Sequence, residues 1–158
     1  MHEWRALIGS AKFHGYVLCG ALGSAPFFTF LGGGPHVVVT LMGRTSAEYG
    51  VWFAITSLGY MTGNFTASRL SQRFGVDAMI MAGIAFELTG AGLTALLVAT
   101  MPEAGPAIIF LPQLVISYGN GLLLPNAIAG ASTAMPMAWM LVIVVVATGA
   151  AYARLVRR

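Results

Sequence analysis

The sequence predicts an all-α, polytopic membrane protein, and its composition carries that prediction. Of its 158 residues, 58% are hydrophobic and only 8% are charged. In a typical soluble domain about 25% of the residues are charged, because its surface must be wetted. The mean hydropathy is +0.82. Such a chain is neither an ordinary soluble enzyme nor a disordered tail. Its eight basic residues are too scattered for nucleic-acid binding.

The charge-poor stretches divide into about five transmembrane helices. A helix needs about 20 apolar residues to cross a bilayer, and it pairs every backbone group within its own segment. A cytoplasmic amphipathic leader (1–14) and a basic tail (154–158) flank a transmembrane domain (15–153). The predicted spans are residues 15–41, 49–67, 76–99, 107–130 and 137–153.

The N-terminus allows a second interpretation, a signal peptide in which Arg5 and Lys12 precede an apolar run. The membrane-helix interpretation is favoured because the run continues well past a cleavable length.

The first span contains a predicted helix break. The break residues are Gly32, Gly33, Gly34, Pro35 and His36, and unwound backbone at such a place can bind an ion or a substrate. A single imidazole beside a kink is more often a hydrogen-bonded packing residue. Both interpretations of His36 stay open.

Basic residues predict the orientation, because cytoplasmic loops are enriched in Lys and Arg. Arg69 and Arg73 follow the second span, the leader is basic, and three arginines lie in the tail, residues 154–158. Five spans place the two ends on opposite sides, although both favour the cytoplasm. The chain therefore looks one helix short, around residues 131–138.

Two spans carry stripes of small and polar residues. In the second span Leu58, Met61 and Phe65 face away from the stripe. Such stripes either pack helices together or line a substrate path, and the two look alike in a sequence. The stripe residues are Thr56, Tyr60, Gly63, Asn64 and Ala67 in span two, and Gln113, Ser117 and Asn120 in span four.

Glu87 lies in the middle of the third span. A charge there costs at least about 2.5 kcal/mol, so such a residue is usually neutral, paired or functional. Gly83, Gly90 and Thr94 share its helical face, which favours close packing over exposure to lipid. Glu87 is the candidate for proton coupling, and the alternative is a protonated carboxyl that bonds a neighbouring helix.

The sequence shows no enzyme chemistry. It has one cysteine, Cys19, no cluster at metal-ligand spacing and no glycine-rich phosphate loop. The prediction is no enzyme, no metal and no cofactor.

Several motifs resemble one family of transporters. A basic, aromatic linker leads into a helix with a small-residue and proline break; a loop ends in Arg-Phe-Gly; and a later helix carries Gly and Pro-Asn. The matching residues are 13–16, 24–37, 46–54, 63–75 and 120–127. They are similar to the second half of major facilitator superfamily transporters, specifically the Bcr/CflA drug-resistance family.

The resemblance implies a truncated C-terminal half of a proton-coupled multidrug antiporter in a bacterial inner membrane. Its expected partners are the lipid bilayer, a second transporter half or a second copy, and a small apolar substrate, with no nucleic acid. It also implies a cytoplasmic signature loop at Arg69, Arg73 and Asp77, in which the arginines pair with Asp77 or lipid phosphate or act only as a topology anchor. The alternative function is a non-transporting structural or regulatory helical fragment.

Overall fold

The computed structural model describes residues 10–101 and 104–132, and the regular elements in these ranges are helices. Helix α1 (Ala11–Pro35) continues into a π-helical segment (His36–Leu41). Helices α2 (Ser46–Phe74), α3 (Val76–Thr100) and α4 (Ala107–Ser132) follow. The predicted fifth span, residues 137–153, and the basic tail lie outside the described residues, as does most of the leader.

Among the described residues, three helical stretches are long and apolar enough to cross a membrane: Ala11–Leu41, Val76–Thr100 and Ala107–Ala131. They correspond to the first, third and fourth predicted spans. Helix α2 covers the second predicted span but does not meet this description, because it carries many hydroxyl and amide side chains and two arginines. The count of about five spans is therefore not supported.

Local hydrogen bonds mark where helices begin. The Ser10 hydroxyl accepts a hydrogen bond from the backbone N–H of Phe13 at 3.4 Å, and the Thr45 hydroxyl accepts one from Glu48 at 3.1 Å. Both are N-caps, which pair backbone donors that the first turn leaves free. Gly75 separates α2 from α3 with φ +86°, a conformation that glycine adopts without steric cost.

The helix break predicted near the end of the first span is wrong, because the backbone there stays helical. The three glycines have no positive φ, and Pro35 is helical at φ −58° and ψ −43°. The helix continues and widens after the proline, where the Met42 N–H donates to the Val37 carbonyl at 2.9 Å. In an apolar segment an internal hydrogen bond is favoured over unwound backbone, so the chain changes helix type here. His36 is exposed.

Helix α4 is the centre of the bundle. It packs against α1, α2 and α3, which touch one another much less. Phe110, Leu122 and Leu123 of α4 are almost completely buried. The bundle therefore depends on the surfaces that its neighbours present to α4.

The surface that α2 presents to α4 is made of small residues. In α2, Gly63 and Ala67 are buried, whereas Leu58, Met61 and Phe65 are exposed by 56%, 63% and 61%. The predicted division of this helix into two faces is confirmed. Small residues let the backbones approach closely, which is how helices associate in lipid.

Candidate functional site

A polar contact joins α1, α3 and α4. Asn120 of α4 is 3% exposed, and its Nδ2 donates to the Gly23 carbonyl of α1 at 2.8 Å and to Glu87 Oε1 of α3 at 3.4 Å. We call this arrangement the Glu87–Asn120 node. One amide thus ties the central helix to two of its neighbours.

Close contacts between backbones create the node. Gly83 and Gly90, on the same face of α3 as Glu87, are buried against α4. A Cβ atom on Gly119 would lie 2.9 Å from the backbone nitrogen of Glu87, so only glycine allows this approach. The prediction that Glu87 lies on a close-packing face is confirmed, and its side chain is half-buried.

The charges around Glu87 determine whether the node can bind and release a proton. The ion pair found among the described residues is Arg44–Glu48, at 3.9 Å and outside the node. Asn120 is an uncharged donor, and its hydrogen bond to Glu87 can form whether the carboxyl is protonated or ionised. The node can therefore hold a proton reversibly without losing this hydrogen bond.

The other predicted path residues do not converge on the node. Thr56 donates to the Phe53 carbonyl at 2.8 Å, and Asn64 donates to the Tyr60 carbonyl at 2.9 Å, both within α2. The ring of Tyr60 stacks on Phe27 of α1, with the centroids 6.4 Å apart. Most of the polar stripe of α2 is thus satisfied within its own helix.

Gln113 and Ser117, the remaining stripe residues of α4, are buried, at 6% and 3% exposed. Gln113 lines a groove that lies between α1 and α3 and has α4 as its floor, which we call the α1–α3 groove. Residues of the polar stripe of α4 therefore lie in two different places: Asn120 belongs to the node, and Gln113 lies beside the groove.

Among the described residues Asp77 does not pair with Arg69 or Arg73, and pairing of these arginines with lipid phosphate stays a prediction. Asp77 accepts a hydrogen bond from the Tyr16 hydroxyl at 2.6 Å. Arg69 lies over the Phe65 ring at 4.7 Å, and Arg73 over the Phe74 ring at 5.4 Å. The turn at Gly75 starts a new helix, and the start of that helix lies beside α1, so Asp77 meets a tyrosine from α1.

Sequence reasoning missed two groups at these sites, the Gly23 carbonyl and the Tyr16 hydroxyl. The sequence carries a weak signal for the first, because Gly23 is small enough to allow close approach of another helix. It carries no signal for the second, because Tyr16 and Asp77 are far apart in the chain and share no periodicity.

Replacing Asn120 with alanine should destabilise the bundle. The substitution leaves the Gly23 carbonyl and Glu87 without this donor, which we expect to lower the free energy of unfolding by about 1–2 kcal/mol. Unfolding of the purified chain in detergent, followed by circular dichroism, measures the change. Asn126→Ala is the matched control, because within the described part of the chain the Asn126 amide donates to the Leu122 carbonyl of its own helix. An equal or larger loss in the control would contradict a tie between helices.

The fold and the node define a class of protein. The described residues form a helical bundle in which three helices can cross a membrane, so the chain is a helical membrane protein. No protein-family model, curated protein or solved structure matches it. Nothing in these comparisons identifies a transporter family.

Proposed function

We propose that this chain is part of a proton-coupled efflux transporter for small apolar compounds, of the Bcr/CflA type within the major facilitator superfamily, in a bacterial inner membrane. The observation that carries the proposal is the Glu87–Asn120 node. A carboxyl group in an apolar helix is costly unless it is paired or used, and here it contacts an amide at the meeting of three helices.

The node offers a physical route from proton binding to helix arrangement. Among the described residues Glu87 has an uncharged partner, so gaining or losing a proton changes the local charge by a full unit. Asn120, which contacts Glu87, also bonds the Gly23 carbonyl of α1. Because a ligand shifts a conformational equilibrium by its differential affinity for the two states, protonation can favour one arrangement of α1 against α3 and α4.

A second candidate function is a non-transporting helical fragment with a structural or regulatory role. The observation that favours it is the scatter of the predicted path residues, since Thr56 and Asn64 bond their own helix. Polar groups bonded within their own helix in this way suit a packing role.

Efflux of Nile red, an uncharged apolar dye, separates the two functions. Cells that lack their own efflux transporters and express the full chain should accumulate less dye than cells with an empty vector. A protonophore that collapses the proton gradient should abolish the difference. Equal accumulation with and without the gradient would defeat the transport proposal and favour the structural fragment.

A further inference from the structure

The exposed face of α2 ends in two arginines. Leu58, Met61 and Phe65 lie on this face, away from α4. Arg69 and Arg73 continue it at intervals of four residues, and both are exposed. Residues four apart are neighbours on the surface of a helix, so an apolar surface passes directly into a pair of positive charges. We call these five residues the α2 stripe.

The basic part of the α2 stripe lies near one end of the bundle. Gly59 of α2 lies against Leu114 of α4, and Gly63 lies against Tyr118, so the two helices run in the same direction. The arginines therefore lie beside the last two turns of α4. That helix has 26 residues, about 39 Å, and the hydrocarbon core of a bilayer is about 30 Å thick. The arginines thus lie where α4 leaves the hydrocarbon core and enters the headgroup layer.

The described residues supply these arginines with no acidic partner. Each guanidinium lies over an aromatic ring, Arg69 over Phe65 and Arg73 over Phe74. Stacking on a ring leaves the N–H groups at the edge of a guanidinium available to an acceptor. Asp77, the nearest acid in the sequence, bonds a tyrosine of α1 instead. Because a positive charge beside hydrocarbon is costly when unpaired, the stripe requires an anion from outside the described residues.

A phospholipid fits both parts of the α2 stripe. Its phosphate can accept from two guanidinium groups, which bind phosphate through paired N–H donors, and an acyl chain can lie along the apolar part. A free phosphate ion would contact the arginines and leave the apolar part uncovered. A zwitterionic headgroup brings a cation of its own, whereas the headgroup of phosphatidylglycerol has a net negative charge. The charge of the stripe therefore favours an anionic lipid.

We propose that the α2 stripe is a binding site for an anionic phospholipid, whose phosphate accepts from Arg69 and Arg73 and whose acyl chain covers Leu58, Met61 and Phe65. This inference goes beyond the proposed transport, because lipid binding requires neither a proton gradient nor Glu87. It is also narrower than a general contact with lipid phosphate, since it specifies the charge of the lipid and the helix face that holds its chain.

Native mass spectrometry of the full chain, titrated with lipid in detergent, measures this preference. Dioleoyl phosphatidylglycerol should bind about 25-fold more tightly than dioleoyl phosphatidylcholine at low ionic strength, about fivefold for each arginine. Both lipids have the same acyl chains, so the difference reports the headgroup alone. Raising the salt concentration should reduce the preference, because salt screens exposed charges.

Substitutions assign the preference to the two arginines. Arg69→Gln and Arg73→Gln should each reduce it about fivefold, and the double variant should remove it. Arg44→Gln is the matched control, because Arg44 is also exposed but lies before α2 and pairs with Glu48. This variant should keep the full preference. Circular dichroism checks that all four variants remain helical.

Several outcomes would overturn the proposal. One is an equal preference in the wild type and the double variant, and another is an equal fall in Arg44→Gln. Displacement of the lipid by glycerol 3-phosphate at the same concentration would assign the arginines to a free phosphate. A preference that appears only in Glu3→Gln would assign them to the acidic residue of the leader.

Discussion

Replacing Glu87 with glutamine should remove the proton dependence of Nile red efflux and leave the bundle folded. Glutamine has nearly the same shape and keeps the Oε1 acceptor that Asn120 contacts, but it cannot bind or release a proton near neutral pH. The free energy of unfolding should therefore change by less than about 1 kcal/mol. Gradient-dependent efflux should fall to the level of cells with an empty vector.

The matched control is Glu48→Gln, which removes a carboxylate from the exposed pair with Arg44. Exposed ion pairs contribute about 0–1 kcal/mol, so this variant should keep both its fold and its gradient dependence. Unchanged gradient dependence in Glu87→Gln would return Glu87 to a packing role. Equal loss in both variants would indicate a general effect of removing acidic residues.

Replacing Gly119 with alanine should destabilise the bundle strongly, although it adds only one methyl group. Its Cβ would lie 2.6 Å from the Gly83 carbonyl oxygen and 2.9 Å from the backbone nitrogen of Glu87. Both are backbone atoms of α3, so relief requires the two helices to separate. Overpacking of this kind costs about 1–3 kcal/mol, and separation would also pull Glu87 away from Asn120.

Gly92→Ala is the control for this substitution. Gly92 lies on α3, and a Cβ atom built on it meets nothing within 4 Å. Alanine is favoured over glycine inside a helix by roughly 0.5–1 kcal/mol, so this variant should be slightly more stable than the wild type. Unfolding in detergent, followed by circular dichroism, compares the two. Similar changes in both variants would contradict close backbone packing between α3 and α4.

The elements of this fold that a sequence can predict are those set by local chemistry. The apolar run that begins at residue 76 and the run that begins at residue 107 became α3 and α4 almost at their predicted bounds. The faces of α2 were predictable because helical periodicity places Leu58, Met61 and Phe65 together, away from Gly63 and Ala67.

The wrong predictions concern residues that can adopt more than one structure or contact more than one partner. A run of three glycines and a proline is able to unwind, yet the chain stays helical there, because internal hydrogen bonds are favoured in apolar surroundings. Arg73 and Asp77 are near in sequence, but the turn at Gly75 and the proximity of Tyr16 gave Asp77 a different partner.

The sequence by itself determined that this is a helical membrane protein with a carboxyl group inside an apolar helix, because composition and periodicity act within single segments. Only the tertiary structure decided which polar residues meet. It placed Asn120 against Glu87 and Gly23, and it placed Gln113 of the same stripe away from them, beside the α1–α3 groove. The physical reason is that these contacts depend on how closely three separate helices approach α4, and that distance is set by glycines spread over the whole chain.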